Sequence, residues 1–239
     1  MSKPKVRTGI VGAGFAASFH IEAVRRAHGA DVDIIGVQAL TSTKSFAAKH
    51  GIKAFAELDP LLEQIDVLHV CIPPALHEPV AVKALERGVF PIVEKPLTGY
   101  FGDGAPDFDG REASMTEART GALASIERVR AAKAASNVRI LYAENWVYAP
   151  TIQKEREILE KTKGQILWMH GEEAHSGSHA PSYGHWDQAG GGAMIGKGCH
   201  PLTAALYLKK VEGRARFSQS IRPATVTARA CPDPVAGLR

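Results

Sequence analysis

The sequence predicts an α/β protein, with a doubly wound parallel sheet over residues 1–143 and an α+β second domain over residues 144–239 that we expect to be truncated. Two observations predict the first domain. Short runs rich in valine and isoleucine alternate with helical stretches, as in parallel strands joined by crossover helices. A glycine-rich turn follows the first apolar run and opens the first helix. The second domain is predicted from a change of composition near Tyr148.

Four short apolar runs in the first domain predict buried strands, because parallel strands covered on both faces are almost continuously apolar. These runs are 6–11, 33–40, 66–72 and 90–94. Helices are predicted over 16–28, from Ser42 or Thr43 onward, and over 78–87. Residues 99–116 are dense in Gly, Asp and Pro, which predicts an inserted loop. A helix over 117–136 and a strand over 139–145 complete the domain.

The second domain reads as a mixture of helices, strands and one long loop. The predicted helices cover 151–161 and 199–209, and the predicted strands cover 165–173, 215–221 and 225–231. Residues 174–192 form a polar loop with three glycines at its end. Loops of this length are more often functional or disordered than simple connections.

Composition and charge exclude several classes of protein. The chain has 239 residues, of which 45% are hydrophobic and 23% charged, so it is neither collagen-like, disordered nor a coiled coil. A net charge of +4 without a basic stripe argues against nucleic-acid binding. Cys71, Cys199 and Cys231 are too few and too widely spaced for a disulfide framework. With no targeting signal or membrane span evident, we expect a cytoplasmic protein.

The turn formed by Gly12, Gly14 and Ala17 matches a dinucleotide fingerprint of the Rossmann type. It lies between an apolar strand and a helix, which is the context that such a fingerprint requires. Gly12 would permit the tight turn, Gly14 the approach of a pyrophosphate, and Ala17 close packing of helix on strand. Phe15 and Ala16 open the helix, whose free N–H groups would face the phosphates. The alternative is a glycine-rich turn without a ligand.

The residues after the second predicted strand favour NADP over NAD. NAD enzymes place a carboxylate at this point to bind the ribose 2′-hydroxyl, whereas the strand here ends in Gln38, Ala39 and Leu40. The hydroxyls and cation that follow would suit a 2′-phosphate; they belong to Ser42, Thr43 and Lys44. Alternatively, Ser42 and Thr43 only cap the next helix and Lys44 is a solvated charge.

Two further candidate sites follow the third and fourth strands. Cys71 and the Pro73-Pro74 pair, with His77 soon after, would form a rigid ledge at the carboxyl edge of the sheet, where α/β proteins bind ligands. Glu94 and Lys95 end an otherwise apolar strand. Ionisable groups at such a position are costly unless they are paired or functional.

In the segments 9–17, 70–77, 93–97 and 190–200 the chain resembles the Gfo/Idh/MocA family of NAD(P)-dependent oxidoreductases. The resemblance implies hydride transfer between the nicotinamide and a hydroxyl or carbonyl of a sugar, polyol or similar polar molecule. It implies that Lys95 lies beside the nicotinamide and holds or protonates the substrate oxygen, and that Glu94 orients this segment. Family members typically exceed 300 residues, which is why we expect a truncated second domain.

The resemblance also implies that His200 transfers the proton. The family pattern is Asp-x-Gly-x-His, and Gly198 and His200 match it, but Gly196 occupies the position of the aspartate. Lys197 is no substitute, because an ammonium cannot accept the hydrogen bond that a carboxylate accepts. A histidine near its reference pKa of ~6.5 suits proton transfer at neutral pH. The alternative is a helix-start histidine satisfied by the backbone.

The polar loop and its surroundings are expected to line the substrate pocket. The candidate substrate residues are Tyr148, His175, His185 and Trp186. His170 and His179 add to the histidines there, but their spacing in a Gly/Ser-rich segment does not indicate a metal site. Trp186 could instead anchor the loop.

Two other functions stay open at this point. Some family members are glycosidases that retain NAD, and a non-catalytic nucleotide-binding sensor would explain Gly196 in place of the aspartate. We also expect a homo-oligomer, either a dimer or a tetramer, because an incomplete second sheet would leave an edge and an apolar face exposed.

Overall fold

The computed structural model describes residues 3–102, 104–105, 108–174 and 180–229. The chain divides into two compact units. The first comprises Met1–Gly110, Ser114–Ala143 and Ser178–Gly196. The second comprises Arg111–Ala113, Glu144–Gly177 and Lys197–Arg239. Part of the loop predicted over 174–192 therefore belongs to the first unit.

The first unit is built on a six-stranded parallel sheet with the order β3-β2-β1-β4-β5-β6. Its strands are β1 (Lys5–Val11), β2 (Asp31–Gln38), β3 (Lys53–Phe55), β4 (Val67–Val70), β5 (Phe90–Val93) and β6 (Leu141–Tyr142). The strand order reverses between β1 and β4, and open α/β sheets bind ligands beside such a reversal. The predicted doubly wound parallel sheet is thus confirmed.

Helices connect these strands and cover the sheet. They are α1 (Phe15–Arg25), α2 (Thr43–His50), α3 (Asp59–Leu62), α4 (His77–Glu86) and α5 (Met115–Ala135). The short α7 (Trp186–Ala189) follows the last strand and belongs to the same unit. Helix α4 ends before Gly88, which has the positive φ of +70° that favours glycine after a helix. Among the described residues, no helix combines the length and the apolar character needed to cross a membrane.

Apolar clusters lie on both faces of the sheet. Ile10 packs with residues of α1 and α2, whereas Val11, the next residue along β1, packs with residues of α3 and α4. Successive side chains of a strand point to opposite faces, so the two clusters lie on opposite sides. Val70 and Cys71 divide between the clusters in the same way. The continuous apolar runs of the sequence arise from this double coverage.

Short elements were not predicted. Strand β3 has three residues, two of them exposed, and α3 has four residues. Neither is long enough to show a hydrophobic period. Strand β6 covers only two of the seven residues predicted between 139 and 145, and it is the edge strand beside β5.

In the second unit, the described residues form helices and no strand. Helix α6 (Pro150–Thr162) packs on α8 (Cys199–Phe217) through Leu159, Leu208 and Val211. The strands predicted over 165–173 and 215–221 are wrong, and 225–229, the described part of the third, is not a strand either. The mixed α+β expectation for this unit is therefore corrected to a helical one within the described residues.

The buried carboxylate of Glu212 explains two of these differences. It accepts hydrogen bonds from Lys209 (2.5 Å) and Arg216 (3.1 Å) on the same helix, which favours continuing α8 to Phe217. It also accepts a hydrogen bond from the backbone N–H of Ile166 (3.1 Å), while Lys209 donates to the Ile166 carbonyl (3.2 Å). The backbone of Ile166 is thus satisfied by side chains of α8 instead of a neighbouring strand.

Candidate functional site

The turn after β1 requires glycine at position 12. Gly12 has φ +112°, and a Cβ atom there would lie 2.1 Å from the carbonyl oxygen of Cys71. Its N–H donates to the carbonyl of Gln38 at 2.8 Å. Because Cys71 and Gln38 follow or end the strands on either side of β1, this turn lies at the carboxyl edge of the sheet.

The next glycine leaves open space at the start of α1. Gly14 is the N-cap of α1, and no described atom beyond the adjoining residues lies within 4 Å of the position that a Cβ would occupy. No described side chain caps the helix, Phe15 is largely exposed, and Ala17 is fully buried against the sheet. Uncapped N–H groups facing open space at a helix N-terminus can bind a phosphate.

The segment after β2 presents polar side chains at the start of α2. Ser42 has a positive φ of +59° and is exposed, and Lys44 is also exposed. Thr43 donates its hydroxyl hydrogen to the carbonyl of Ala39 at 2.7 Å. The Ser42 side chain makes no capping hydrogen bond to the helix. The Thr43 hydroxyl therefore forms a hydrogen bond within the turn, whereas the Ser42 hydroxyl does not cap the helix.

The segment after β4 is held by a buried histidine. The two ring nitrogens of His77 lie 2.7 Å from the carbonyl oxygen of Pro96 and 2.9 Å from that of Ile72. Burial lowers the pKa of His77 despite these carbonyls, so the neutral ring donates to one of them at a time. His77 thus joins the segments that follow β4 and β5.

The other sequence candidates after β4 lie at the start of the same connection. Pro73 precedes a 3₁₀ turn over Pro74–Leu76, and Pro74 is buried. Cys71 is also buried, and burial together with the nearby Glu94 charge raises the pKa of its thiol. The Cys71 thiol is therefore protonated at neutral pH and is no thiolate nucleophile.

Glu94 ends a chain of hydrogen bonds that begins inside the sheet. Nδ1 of His69, on β4, lies 2.8 Å from Nδ1 of His20, on α1. Nε2 of His20 lies 3.0 Å from one oxygen of Glu94, whose other oxygen accepts the backbone N–H of Lys95 at 3.2 Å. Burial would raise the pKa of Glu94, but these hydrogen bonds and charges outweigh it and lower the pKa.

His69 is the neutral end of this chain. Burial, followed by the nearby His20, lowers the pKa of His69 to about 3. Because His69 is neutral at pH 7, its Nδ1–H can donate to His20, whose Nε2–H can in turn donate to Glu94. Sequence analysis missed both histidines, since nothing in their local spacing connects α1 with the end of β5.

Lys95 extends from the end of β5 to partners in the returning loop. Its ammonium lies 3.2 Å from the hydroxyl of Tyr183 and donates to the carbonyl oxygen of Gly196, also at 3.2 Å. The ammonium is 5.4 Å from the centre of the Tyr183 ring. Residue 196, where the family pattern has an aspartate, therefore contacts Lys95 through its backbone carbonyl oxygen. Tyr183 lies within the loop 174–192 that was expected to line the substrate pocket.

The four candidate substrate residues belong to different units or lie outside the described residues. Tyr148 is exposed in the second unit, and His185 is exposed at the start of α7 in the first unit. The ring of Trp186 packs against the backbone of Gly110 and Gly191, as a loop anchor would. His175 lies outside the described residues.

In the second unit, His200 is buried and paired with a carboxylate. Its Nδ1 lies 2.7 Å and 2.9 Å from the two oxygens of Glu144. The Trp146 ring stacks on the His200 ring with centroids 5.8 Å apart. Glu144, Cys199 and His200 also have potential metal-ligating atoms within 4.8 Å of one another. Sequence analysis missed Glu144, and its only signal was a carboxylate at the end of the last predicted strand of the first domain.

Comparison with known proteins identifies relatives of the chain. Residues 6–105 match the model of the Gfo/Idh/MocA family, described as an oxidoreductase family with an NAD-binding Rossmann fold. An inositol 2-dehydrogenase of Corynebacterium glutamicum (strain R) is 35% identical over 102 residues, 41% of this chain and 30% of the relative. A dTDP-3,4-didehydro-2,6-dideoxy-alpha-D-glucose 3-reductase of Streptomyces antibioticus is 28% identical over 214 residues, 87% of this chain and 58% of the relative.

A solved structure shares the fold along most of the chain. GenD2 from gentamicin A biosynthesis, in complex with NAD, matches with a TM-score of 0.65 and 21% identity over 87% of this chain and 54% of the other. The aligned parts thus cover between 30% and 58% of the length of these relatives. Residues 6–105 of the chain are thus similar to the NAD-binding Rossmann fold of the Gfo/Idh/MocA oxidoreductase family.

Proposed function

We propose that the protein is an NAD(P)-dependent oxidoreductase that transfers a hydride between the nicotinamide and a hydroxyl or carbonyl of a sugar, polyol or similar polar molecule. One observation carries the proposal. The Gly12 turn and Lys95 follow parallel strands of one sheet and therefore lie at its same carboxyl edge. The proposed dinucleotide-binding turn and the cation of Lys95 thus belong to the same unit.

The residues at this edge fit a dinucleotide. The room at Gly14 and the uncapped start of α1 suit the pyrophosphate. Ser42 and Lys44 are exposed and suit a 2′-phosphate, with Thr43 shaping the turn through Ala39. Strand β2 ends without a carboxylate to bind a 2′-hydroxyl. These features favour NADP over NAD, while Pro73, Pro74, His77 and Glu94 shape the ledge beside the turn.

Lys95 is the proposed catalytic cation. A bound nicotinamide would supply the hydride acceptor or donor. The ammonium of Lys95 would stabilise the negative charge that develops on the substrate oxygen, an effect worth several kcal/mol where water is excluded. Tyr183 and the Gly196 carbonyl hold that ammonium in place before substrate binds. We propose His200 as the group that takes up or returns the hydroxyl proton.

The relatives support a polyhydroxylated substrate. The names of two of them refer to inositol and to a deoxysugar nucleotide. They are a dehydrogenase and a reductase, which favours redox turnover over the glycosidase and sensor alternatives. Tyr148, His175, His185 and Trp186 remain the proposed substrate contacts, and a homo-oligomer remains the proposed assembly.

Replacing Lys95 tests this function. We expect Lys95→Ala to lower kcat by at least ~100-fold across a panel of sugars, polyols and nucleotide sugars, because charge stabilisation of the transition state is lost. NADPH affinity should change little. Lys161→Ala, which removes an exposed lysine on α6, serves as the control. Unchanged turnover in Lys95→Ala would refute the proposed role.

The same panel separates the alternatives. A glycosidase that retains its cofactor would release sugar from a glycoside without net formation of NADH or NADPH. A sensor would bind the coenzyme and turn over nothing. Steady-state absorbance of the reduced nicotinamide, recorded with product analysis, distinguishes these outcomes from a dehydrogenase.

A further inference from the structure

We propose that Glu144 is a positioning residue that fixes the tautomer of His200, so that Nδ1 carries the ring hydrogen and Nε2 is left to exchange protons. The functional consequence rests on the proposed role of His200 in hydride transfer. The tautomer itself is a property of the second unit and can be measured without any substrate.

The contact between the two side chains is short and buried. Nδ1 of His200 lies 2.7 Å from Oε1 and 2.9 Å from Oε2 of Glu144. Glu144 is 2% exposed and His200 7% exposed. An ionised carboxylate can only accept hydrogen bonds, so the ring must place its hydrogen on Nδ1. The alternative tautomer would set a lone pair against a buried carboxylate, which costs free energy.

Glu144 is itself held in place by the backbone that follows it. The N–H of Trp146 donates to Oε1 of Glu144 at 3.0 Å. The ring of Trp146 stacks on the ring of His200, with a centroid separation of 5.8 Å and an interplanar angle of 12°. One short segment, 144–146, therefore contacts both the edge and the face of the imidazole, which fixes the position and rotation of the ring.

This arrangement explains how the chain can function without the family aspartate at position 196. A catalytic histidine needs a partner that orients it and stabilises its cationic form. Glu144, which is 56 residues earlier in the sequence, contributes a carboxylate in direct contact with His200. The orienting group thus comes from a different segment than the sequence pattern suggests.

A metal centre is the competing interpretation, because Cys199 lies near the pair. Zinc lies ~2.0–2.2 Å from nitrogen and oxygen ligands, and two ligands of a tetrahedral site are then roughly 3.4 Å apart. The 2.7 Å separation of Nδ1 and Oε1 is shorter than that and matches a charge-assisted hydrogen bond. The geometry therefore favours a proton over a metal ion between these two atoms.

Nitrogen NMR of the full chain, labelled with ¹⁵N-histidine, tests the proposal directly. The signals of His200 are identified as those lost in His200→Gln. We expect a protonated Nδ1 and an unprotonated Nε2 in the wild-type protein at pH 7.5. A wild-type spectrum with the hydrogen on Nε2 would overturn the proposal, and this measurement needs no variant of Glu144.

Glu144→Gln sharpens the test, because it removes the negative charge that favours a hydrogen on Nδ1. It also places an NH₂ donor at one of the two positions, 2.7 Å and 2.9 Å from Nδ1, that the carboxylate oxygens occupy. We expect the hydrogen to move to Nε2, whereas the exposed control Glu160→Gln should leave the spectrum unchanged. An unchanged tautomer in Glu144→Gln, or one zinc ion that stays bound to the wild-type chain through dialysis, would overturn the proposal.

Kinetic measurements then distinguish a failure of the positioning role of Glu144 from a failure of the proposed function. If the chain turns over substrate, Glu144→Gln should lower kcat by at least ~100-fold with little change in KM, as expected when a catalytic histidine adopts the wrong tautomer. A chain without turnover whose His200 still carries the predicted tautomer would contradict the proposed function alone. Turnover that Glu144→Gln leaves intact would overturn the positioning role of Glu144.

Discussion

The sheet unit buries two apolar clusters on opposite faces, whereas the helical unit has a small apolar cluster beside the buried carboxylate of Glu212. Helices α1, α2, α3 and α4 each contribute apolar residues to the sheet unit. In the helical unit, three buried apolar residues connect α6 and α8. Stability in the first unit thus comes mainly from apolar burial, and in the second it depends more on a few polar contacts.

The polar residues of the two units also differ in the groups that they contact. In the sheet unit, the buried His77 contacts backbone carbonyls and the partly buried His20 contacts the Glu94 carboxylate, at the strand ends where the coenzyme is proposed to bind. In the helical unit, Glu144 and Glu212 each connect segments that are distant in sequence. Substitutions in the two units should therefore affect different observables, namely coenzyme affinity and acid sensitivity in the sheet unit and local hydrogen exchange in the helical unit.

Gly12→Ala should have the largest effect. It would place a methyl group 2.1 Å from the Cys71 carbonyl oxygen at a φ of +112°. We expect a loss of at least ~3 kcal/mol in the free energy of unfolding, together with loss of NADPH binding. Urea denaturation and fluorescence titration measure the two effects. Gly14→Ala, where the space is open, should change the free energy of unfolding by less than ~1 kcal/mol. Equal destabilisation by both substitutions would contradict the described turn.

Acid should destabilise the sheet unit through His69. Its pKa of about 3 lies below the ordinary value of 6.5, because burial and His20 disfavour the charged form. The unfolded chain therefore binds a proton that the folded chain does not, and stability is lost as pH falls below 6.5. We expect a loss of about 2 kcal/mol between pH 6.5 and 4.5.

A variant identifies the source of that acid sensitivity. His69→Asn should reduce the slope of the free energy of unfolding against pH in this window. Some slope should remain, because burial also lowers the pKa of His77. His28→Asn, at an exposed position, should leave the slope unchanged. A slope that is identical in wild type and His69→Asn would show that His69 is not held neutral.

Glu212→Gln should destabilise the helical unit by about 1.5 kcal/mol. The substitution keeps the shape of the side chain but removes the charge that accepts hydrogen bonds from Lys209 and Arg216. Hydrogen exchange of α8 amides would report the loss locally. The exposed Glu160, which lies 4.0 Å from the half-buried Arg156, offers a control, since Glu160→Gln should cost less than ~0.5 kcal/mol. Equal protection of α8 in both variants would argue against a stabilising role for Glu212.

Lys44→Ala should have the smallest effect. If Lys44 binds a 2′-phosphate, its removal should raise the Kd for NADPH by about 5-fold to 10-fold, roughly 1 kcal/mol, and leave that for NADH unchanged. Lys49→Ala, at an exposed position later in α2, is the matched control. If Lys44→Ala raised the Kd for NADPH and for NADH by the same factor, Lys44 would not favour NADP over NAD.

Local patterns made the sheet unit predictable, and the same dependence on local patterns explains the errors elsewhere. The motifs at Gly12, at Gly14 and at the end of β5 can each be recognised within a few consecutive residues. The pairing of Glu144 with His200 spans 56 positions and leaves no local signal. The apolar residues of 165–169 suggested a strand, but a strand requires a neighbour for its backbone, and Ile166 finds its partners on α8.

The proposed function depends on coenzyme binding at the turn after β1, which parallel titration with NADH and NADPH measures. The proposed function predicts saturable binding of at least one coenzyme. It also predicts that Gly14→Asp, which places a carboxylate in the open space at the start of α1, weakens that binding by at least ~10-fold without changing the free energy of unfolding by more than ~1 kcal/mol. Failure of the wild-type protein to bind either coenzyme, or equal affinity in Gly14→Asp, would contradict it.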